Sequence, residues 1–227
     1  MKKSFHFSKI QEGSIGVNAD SDDKGFRRGE ACLAPTPEKK GAAGLNGRAA
    51  VTLADFYNHL GQLAECPQES HAALLENCRK GLMELCPEGS TSLILFQKAM
   101  ESLSRDQREE AYLRAFDITP LAIPYVSIHL FGEESYKRGE FMAKFLEAHE
   151  QHGFDCGSEL PDHIAVMLRF ASRLNLEERR EMLDLCLKEP VRKMTFALKK
   201  ADHPYQFLLQ AFLDVIETDL KTEVCHA

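Results

Sequence analysis

The chain has 227 residues, 44% of them apolar and 28% charged, as expected for a soluble globular protein of one good-sized domain, with or without a tail. It holds no apolar run of about 18 residues, which excludes a transmembrane helix, and its start, MKKSFHFSKIQEGS, lacks the apolar stretch of a secretory signal. Charge is shared unequally: residues 1–50 carry 9 basic and 6 acidic side chains, and the rest of the chain carries 19 and 29. An acidic folded part is a poor match for nucleic acid, which needs a basic surface, and a better match for a cationic partner. Seven cysteines at positions 32, 66, 78, 86, 156, 186 and 225 form an odd, irregular set without C-x-x-C. They read as reduced cytoplasmic thiols, neither a disulfide scaffold nor a zinc site.

Residues 1–48, with GSIGVNADSDDKGFRRGE and APTPEKKGAAGLNG, have no apolar period, so a disordered or loosely attached tail is expected there. The second unit, residues 49–227, should be folded from near Val51, and its period is helical almost throughout. Thr52-x-x-Asp55 suits a helix cap, followed by the stripe Leu53, Phe56, Tyr57, Leu60 and Leu63. Leu74, Leu75, Cys78, Leu82 and Leu85 make a second stripe ending at Pro87, and Leu93, Phe96, Met100 and Leu103 a third. Ser104-x-x-Gln107 is a capping box for a helix ending near Asp117. Thr119-Pro120 reads as the start of a helix over 120–131, short or bent because of Pro124. A helix over 133–152 should stop at Gly153.

Pro161 and Asp162 suit the first turn of a helix over 161–174, yet an imidazolium at His163 would oppose the helix dipole. Asn175-x-x-Glu178 starts another helix, which Pro190 should interrupt before it resumes through Val191, Met194 and Leu198. Asp202-His203-Pro204 starts the last one, with Phe207, Leu208, Ala211, Phe212, Val215 and Ile216 facing inward. No stretch alternates with period two and no repeat of fixed length recurs. The expected fold is all-α: a single helical bundle of about eight to ten helices with a disordered N-terminal tail.

Motifs for catalysis are absent: there is no G-x-x-x-x-G-K-[ST], no G-x-G-x-x-G after a strand, no G-x-S-x-G and no H-E-x-x-H. His149 and His152, spaced i, i+3, could hold a metal but sit at a Gly-ended helix terminus. A metal-dependent hydrolase would rest on Asp162, His163, His129, His149 and Asp117, which show no supporting spacing. The middle of the chain instead gathers Tyr112, Phe116, Tyr125, His129, Phe131 and Tyr136 around two proline-marked turns. Taken singly these aromatics read as core. Together, beside an acidic pair, they suit a groove for an apolar segment with a basic end.

YLRAFDITP, PYVSIHLFGEESYKRGEFM and ELPDHIAVMLRFASRL, with ADHPYQFLLQAFLDVIE near the end, resemble the nitrate reductase delta-subunit (NarJ) family of molybdenum-cofactor assembly chaperones. That family is related to the TorD group of redox-enzyme maturation proteins. The likeness spans roughly residues 51–220 and is strongest over 108–175. It implies a cytoplasmic all-helical chaperone, not an enzyme, without a metal centre or cofactor of its own. Its partner would be the catalytic (large) subunit of a molybdoenzyme, nitrate reductase above others. The chaperone would bind that subunit's N-terminal leader and aid molybdenum-cofactor insertion before membrane attachment or export. Carried over by position, leader binding falls on Tyr112, Phe116, Asp117, Tyr125, His129, Phe131, Asp162 and His163. Where relatives often have Leu-Pro after Asp-His, this chain has Ile164-Ala165. The oligomeric state, a homodimer included, stays open. A metal-dependent hydrolase and a plain helical scaffold subunit are the competing readings.

Overall fold

A computed structural model describes Phe7 and residues 51–222; the remainder of the expected tail lies outside the described residues. Helices α1 (Ala54–Leu63), α2 (His71–Leu85), α3 (Pro87–Glu101), α4 (Arg105–Phe116), α5 (Val126–Phe131), α6 (Lys137–His152), α7 (Ile164–Ala171), α8 (Leu176–Met182), α9 (Lys188–Lys200) and α10 (Tyr205–Lys221) follow in order. A π-helical turn, Leu183–Leu187, joins α8 to α9. The described residues form no strand, and an antiparallel bridge joins Tyr125 to His163. The all-α expectation holds. None of the described helices is long and apolar enough to cross a membrane, and Cys66, Cys78, Cys86, Cys156 and Cys186 are free thiols.

Helix α7 is the most completely buried of the described helices. Seven of its eight residues are buried, Arg169 being the exception, as expected of a helix that is apolar on all sides. It lies against α1 at Gly61, where a Cβ would stand 2.5 Å from Arg169 Cγ and 2.6 Å from the Ala165 carbonyl oxygen. Around this pair, α10 packs on α3 and α9, α3 on α2, and α5 bridges α6 and α9. A buried ion pair, Arg179 Nε to Asp219 Oδ2 at 2.7 Å, ties α8 to α10. Burial, then the neighbouring Asp219 charge, raises the Tyr57 phenol well above its ordinary pKa.

Local signals set several helix ends as expected. Gln107 N–H donates to Ser104 Oγ while Ser104 N–H donates to Gln107 Oε1, completing the capping box of α4. Asn175 Oδ1 accepts from Glu178 N–H at 2.9 Å, and Gly153, at φ 60°, closes α6. Elsewhere the expectations need correction. The helix expected over 120–131 is confined to Val126–Phe131, because Thr119 sits at φ 52° and Pro124 and Tyr125 run extended to pair with residues 162–164. The helix expected from 161 begins at Ile164, since His163 is extended in the same pairing. The helix expected from 133 begins at Lys137. The interruption expected near Pro190 takes the form of the π turn Leu183–Leu187: the helical path continues, and Pro190 sits in the first turn of α9, where the wider turn before it takes up the loss of the proline N–H donor.

Candidate functional site

Two chain segments cross beside α7 and clasp each other. Val126 N–H donates to the Asp162 carbonyl and Ile164 N–H to the Pro124 carbonyl, both at 2.9 Å. Under this crossing the Asp162 side chain is fully buried. Ser127 Oγ donates to one of its carboxylate oxygens, and Oδ1 has no hydrogen-bond partner among the described residues. Arg138 Nε donates to Ser127 Oγ at 3.0 Å and Arg138 Nη1 to the Glu133 carbonyl at 2.9 Å, so a cation reaches the carboxylate through one hydroxyl. Burying a charge is costly unless it is hydrogen-bonded, and this relay supplies the bond.

His163 is the N-cap of α7: its Nδ1 accepts from Ala165 N–H at 3.3 Å, which leaves the ring proton on Nε2. Burial lowers the imidazole pKa, while Glu159 and Asp162 pull it upward. A neutral ring does not oppose the helix dipole, and this explains a histidine at that position. Tyr125 meets it edge-on with ring centroids 5.5 Å apart. Burial, followed by the charges of Glu159, Asp162 and Asp117, raises the Tyr125 phenol pKa.

His163 and Tyr112 line an open hollow of about 600 Å³ whose other walls are Glu65 and Cys66 after α1, Asp155 to Glu159, and Val166 and Arg169 of α7. Arg169 donates to Glu65 Oε1 at 2.9 Å, so the cation in this hollow is already engaged, while Asp155 and Glu159 are exposed. Tyr112 is pushed up to about 12 by burial, then by Cys66, Glu159, Asp117 and Glu65. Through Cys66 the hollow adjoins a second one containing Pro67, Gln68, Glu69, Arg105 and Arg108. Pro67, Gln68, Glu69 and Arg108 in turn border an apolar pocket of about 220 Å³ floored by Leu63, Leu75, Phe96, Met100 and Tyr205. The three hollows share wall residues in series and together are termed the crease: acidic at one end, with Arg105 and Arg108 in the middle, and apolar at the other.

The sequence-expected residues divide around this crease. Tyr112 and His163 line its acidic end, and Tyr125 stands against His163 with its phenol near Glu159. Asp117 is exposed at the end of α4, and its charge acts on Cys66, Tyr112 and Tyr125. Phe116 is floor: buried, 5.5 Å from the Tyr112 ring and 5.2 Å from Tyr205. Asp162 lies beneath the clasp. His129 and Phe131 point elsewhere: His129 Nε2 donates to the Ile123 carbonyl at 2.7 Å, and Phe131 packs 5.6 Å from Phe141. Glu65, Asp155, Glu159 and Arg169 also line the hollow but were not singled out by the sequence, since isolated charges on helix ends and loops carry no periodic signal. His149 is buried among Phe145, Phe154 and Phe170. The donors required by a hydrolase therefore point into different environments, and the described residues hold no group of three or more His, Cys, Asp or Glu placed to bind a metal.

Residues 82–207 match the family model described as nitrate reductase delta subunit. The chain belongs to that family. A curated relative, "Probable nitrate reductase molybdenum cofactor assembly chaperone NarJ" of Bacillus subtilis (strain 168), is 28% identical over 163 residues, covering 71% of this chain and 88% of its own length. The family-matched residues include the clasp, Tyr112, Glu159 and His163, whereas the Glu65–Ser70 wall of the crease lies before them.

Proposed function

We propose that this delta-subunit family member is a chaperone for the catalytic subunit of a molybdoenzyme, nitrate reductase above others, and that the crease holds that subunit's N-terminal leader during molybdenum-cofactor insertion. The observation that carries the reading is the crease itself. Exposed carboxylates at Asp155 and Glu159 stand beside Tyr112, Tyr125 and His163, and the same crease leads to the apolar pocket under Leu63 and Phe96. A leader with an apolar segment and a basic end has a matching surface at both ends. Apolar burial, worth about 25 cal/mol per Å², supplies most of the affinity, and the carboxylates add on-rate and orientation. Neutral His163 offers Nε2–H to a peptide carbonyl, while the Asp162–Ser127–Arg138 relay holds the clasp that presents Tyr125 and His163. Phe116 supports Tyr112 from below, while His129 and Phe131 take no direct part.

On this reading the protein carries out no reaction, acts before the client is attached to a membrane or exported, and works in the cytoplasm. Co-purification from native cells tests it. The expected result is a molybdoenzyme large subunit bound through its leader, lost when the leader is deleted. A scaffold role would instead give a stable complex indifferent to the leader.

A further inference from the structure

Phe7 lies far before the first helix in sequence, yet its side chain is fully buried in the bundle core. Its ring centroid is 5.3 Å from that of Phe145, which is itself 4.6 Å from Phe141 on the same face of α6. Its backbone N–H donates to Glu181 Oε2 on α8 at 2.9 Å. A buried aromatic ring fixes position, and a backbone N–H held by a carboxylate fixes chain direction. That combination is the minimum for recognising a peptide segment by one anchor and one backbone donor. In sequence Phe7 sits in Lys2-Lys3-Ser4-Phe5-His6-Phe7-Ser8-Lys9, within the basic part of the chain, while the part that holds it is acidic.

We propose that α6 and α8 form a second peptide-docking site, separate from the crease, whose ligand class is an aromatic residue in a lysine-rich segment and whose occupant is the chain's own N-terminal segment. Phe7 is the anchor, Phe145 and Phe141 the seat, and Glu181 the acceptor that orients the segment. The seat lies within the family-matched residues 82–207 and the occupant outside them, so the site pairs a family surface with a segment added to it.

The test keeps the whole chain. A specific protease site is placed between residues 30 and 40, the N-terminus is labelled with a fluorophore, and the folded protein is cut. Anisotropy over a dilution series then reports whether the N-terminal fragment stays on the bundle. The expected result is retention that is lost on dilution with a measurable Kd, and a Kd at least about tenfold higher for Phe7→Ala. Phe7→Leu, which keeps an apolar anchor if the alanine variant folds poorly, should fall between them. Immediate release of the wild-type fragment, or equal retention of the Phe7→Ala fragment, overturns the proposal.

Discussion

In the groove, the His163 ring meets Tyr125 at 5.5 Å, caps α7 and still lines an open hollow. In the seam behind α6, the His149 ring lies 4.4 Å from Phe170 and 4.8 Å from Phe154, and neither nitrogen has a partner among the described residues. Both regions combine histidine with aromatics, and both histidines are held neutral by burial. The difference lies in where the polar atoms end. One ring nitrogen of His163 accepts a backbone N–H and the ring lines the open hollow, whereas both nitrogens of His149 are buried without a partner among the described residues. Composition alone therefore assigns neither region its role; access of the polar ends does.

The largest effect that would separate the regions is in the seam. Phe145→Ala removes a fully buried ring that touches Phe7, Phe141, His149 and Phe170. It should cost about 3–5 kcal/mol in chemical denaturation, while protein that remains folded binds leader normally. Weakened leader binding without loss of stability would move the recognition surface into the seam.

Next comes pH. Burial, then the nearby His152, pushes His149 down to about 4 from an ordinary 6.5. The folded state thus binds fewer protons than the unfolded state between these values. Its contribution is complete above pH 6.5 and is lost as pH falls toward 4, on the order of 2–3 kcal/mol. His149→Phe should flatten this acid limb in denaturant melts taken across the range. An unchanged acid limb would show that the buried His149 ring is not what the acid titrates.

A smaller effect on stability, with the opposite balance, is expected in the groove. Half-buried Tyr125 packs against His163 on one side. Tyr125→Ala should lower stability by roughly 1 kcal/mol and weaken leader binding about tenfold, read from melts beside peptide titrations. A loss of stability as large as that of Phe145→Ala, with normal residual affinity, would make Tyr125 a core residue.

Features written in neighbouring residues were legible before the structure. Ser104 and Gln107, Asn175 and Glu178, and Gly153 act within one helical turn, so the helix ends they set could be read directly. Features made by distant contacts were not. The extended course of 124–125 and the late start of α7 depend on each other, and the Asp162 partner Ser127 is 35 residues away. Nothing in the local pattern of PDHIA distinguishes an exposed first-turn aspartate from one sealed under a clasp. Tyr112, Tyr125 and His163 stood out as candidates because aromatic and titratable residues are conspicuous around prolines. Glu159, which shares their surroundings, did not, because an exposed glutamate in a loop looks like any solvated charge. Phe7 lay hidden in a segment without period, since a lone anchor has none.

The central claim is that the crease reads both the apolar and the basic parts of a leader. The most direct measurement is a titration of wild type and Glu159→Gln with a synthetic leader of the nitrate reductase catalytic subunit from the same organism, over salt from about 50 to 500 mM. Wild-type affinity should fall as salt rises. Glu159→Gln should bind about threefold more weakly at low salt, follow a flatter salt dependence and converge with wild type at high salt. Superimposable curves at every salt concentration, or no leader binding by the wild type, would contradict the account.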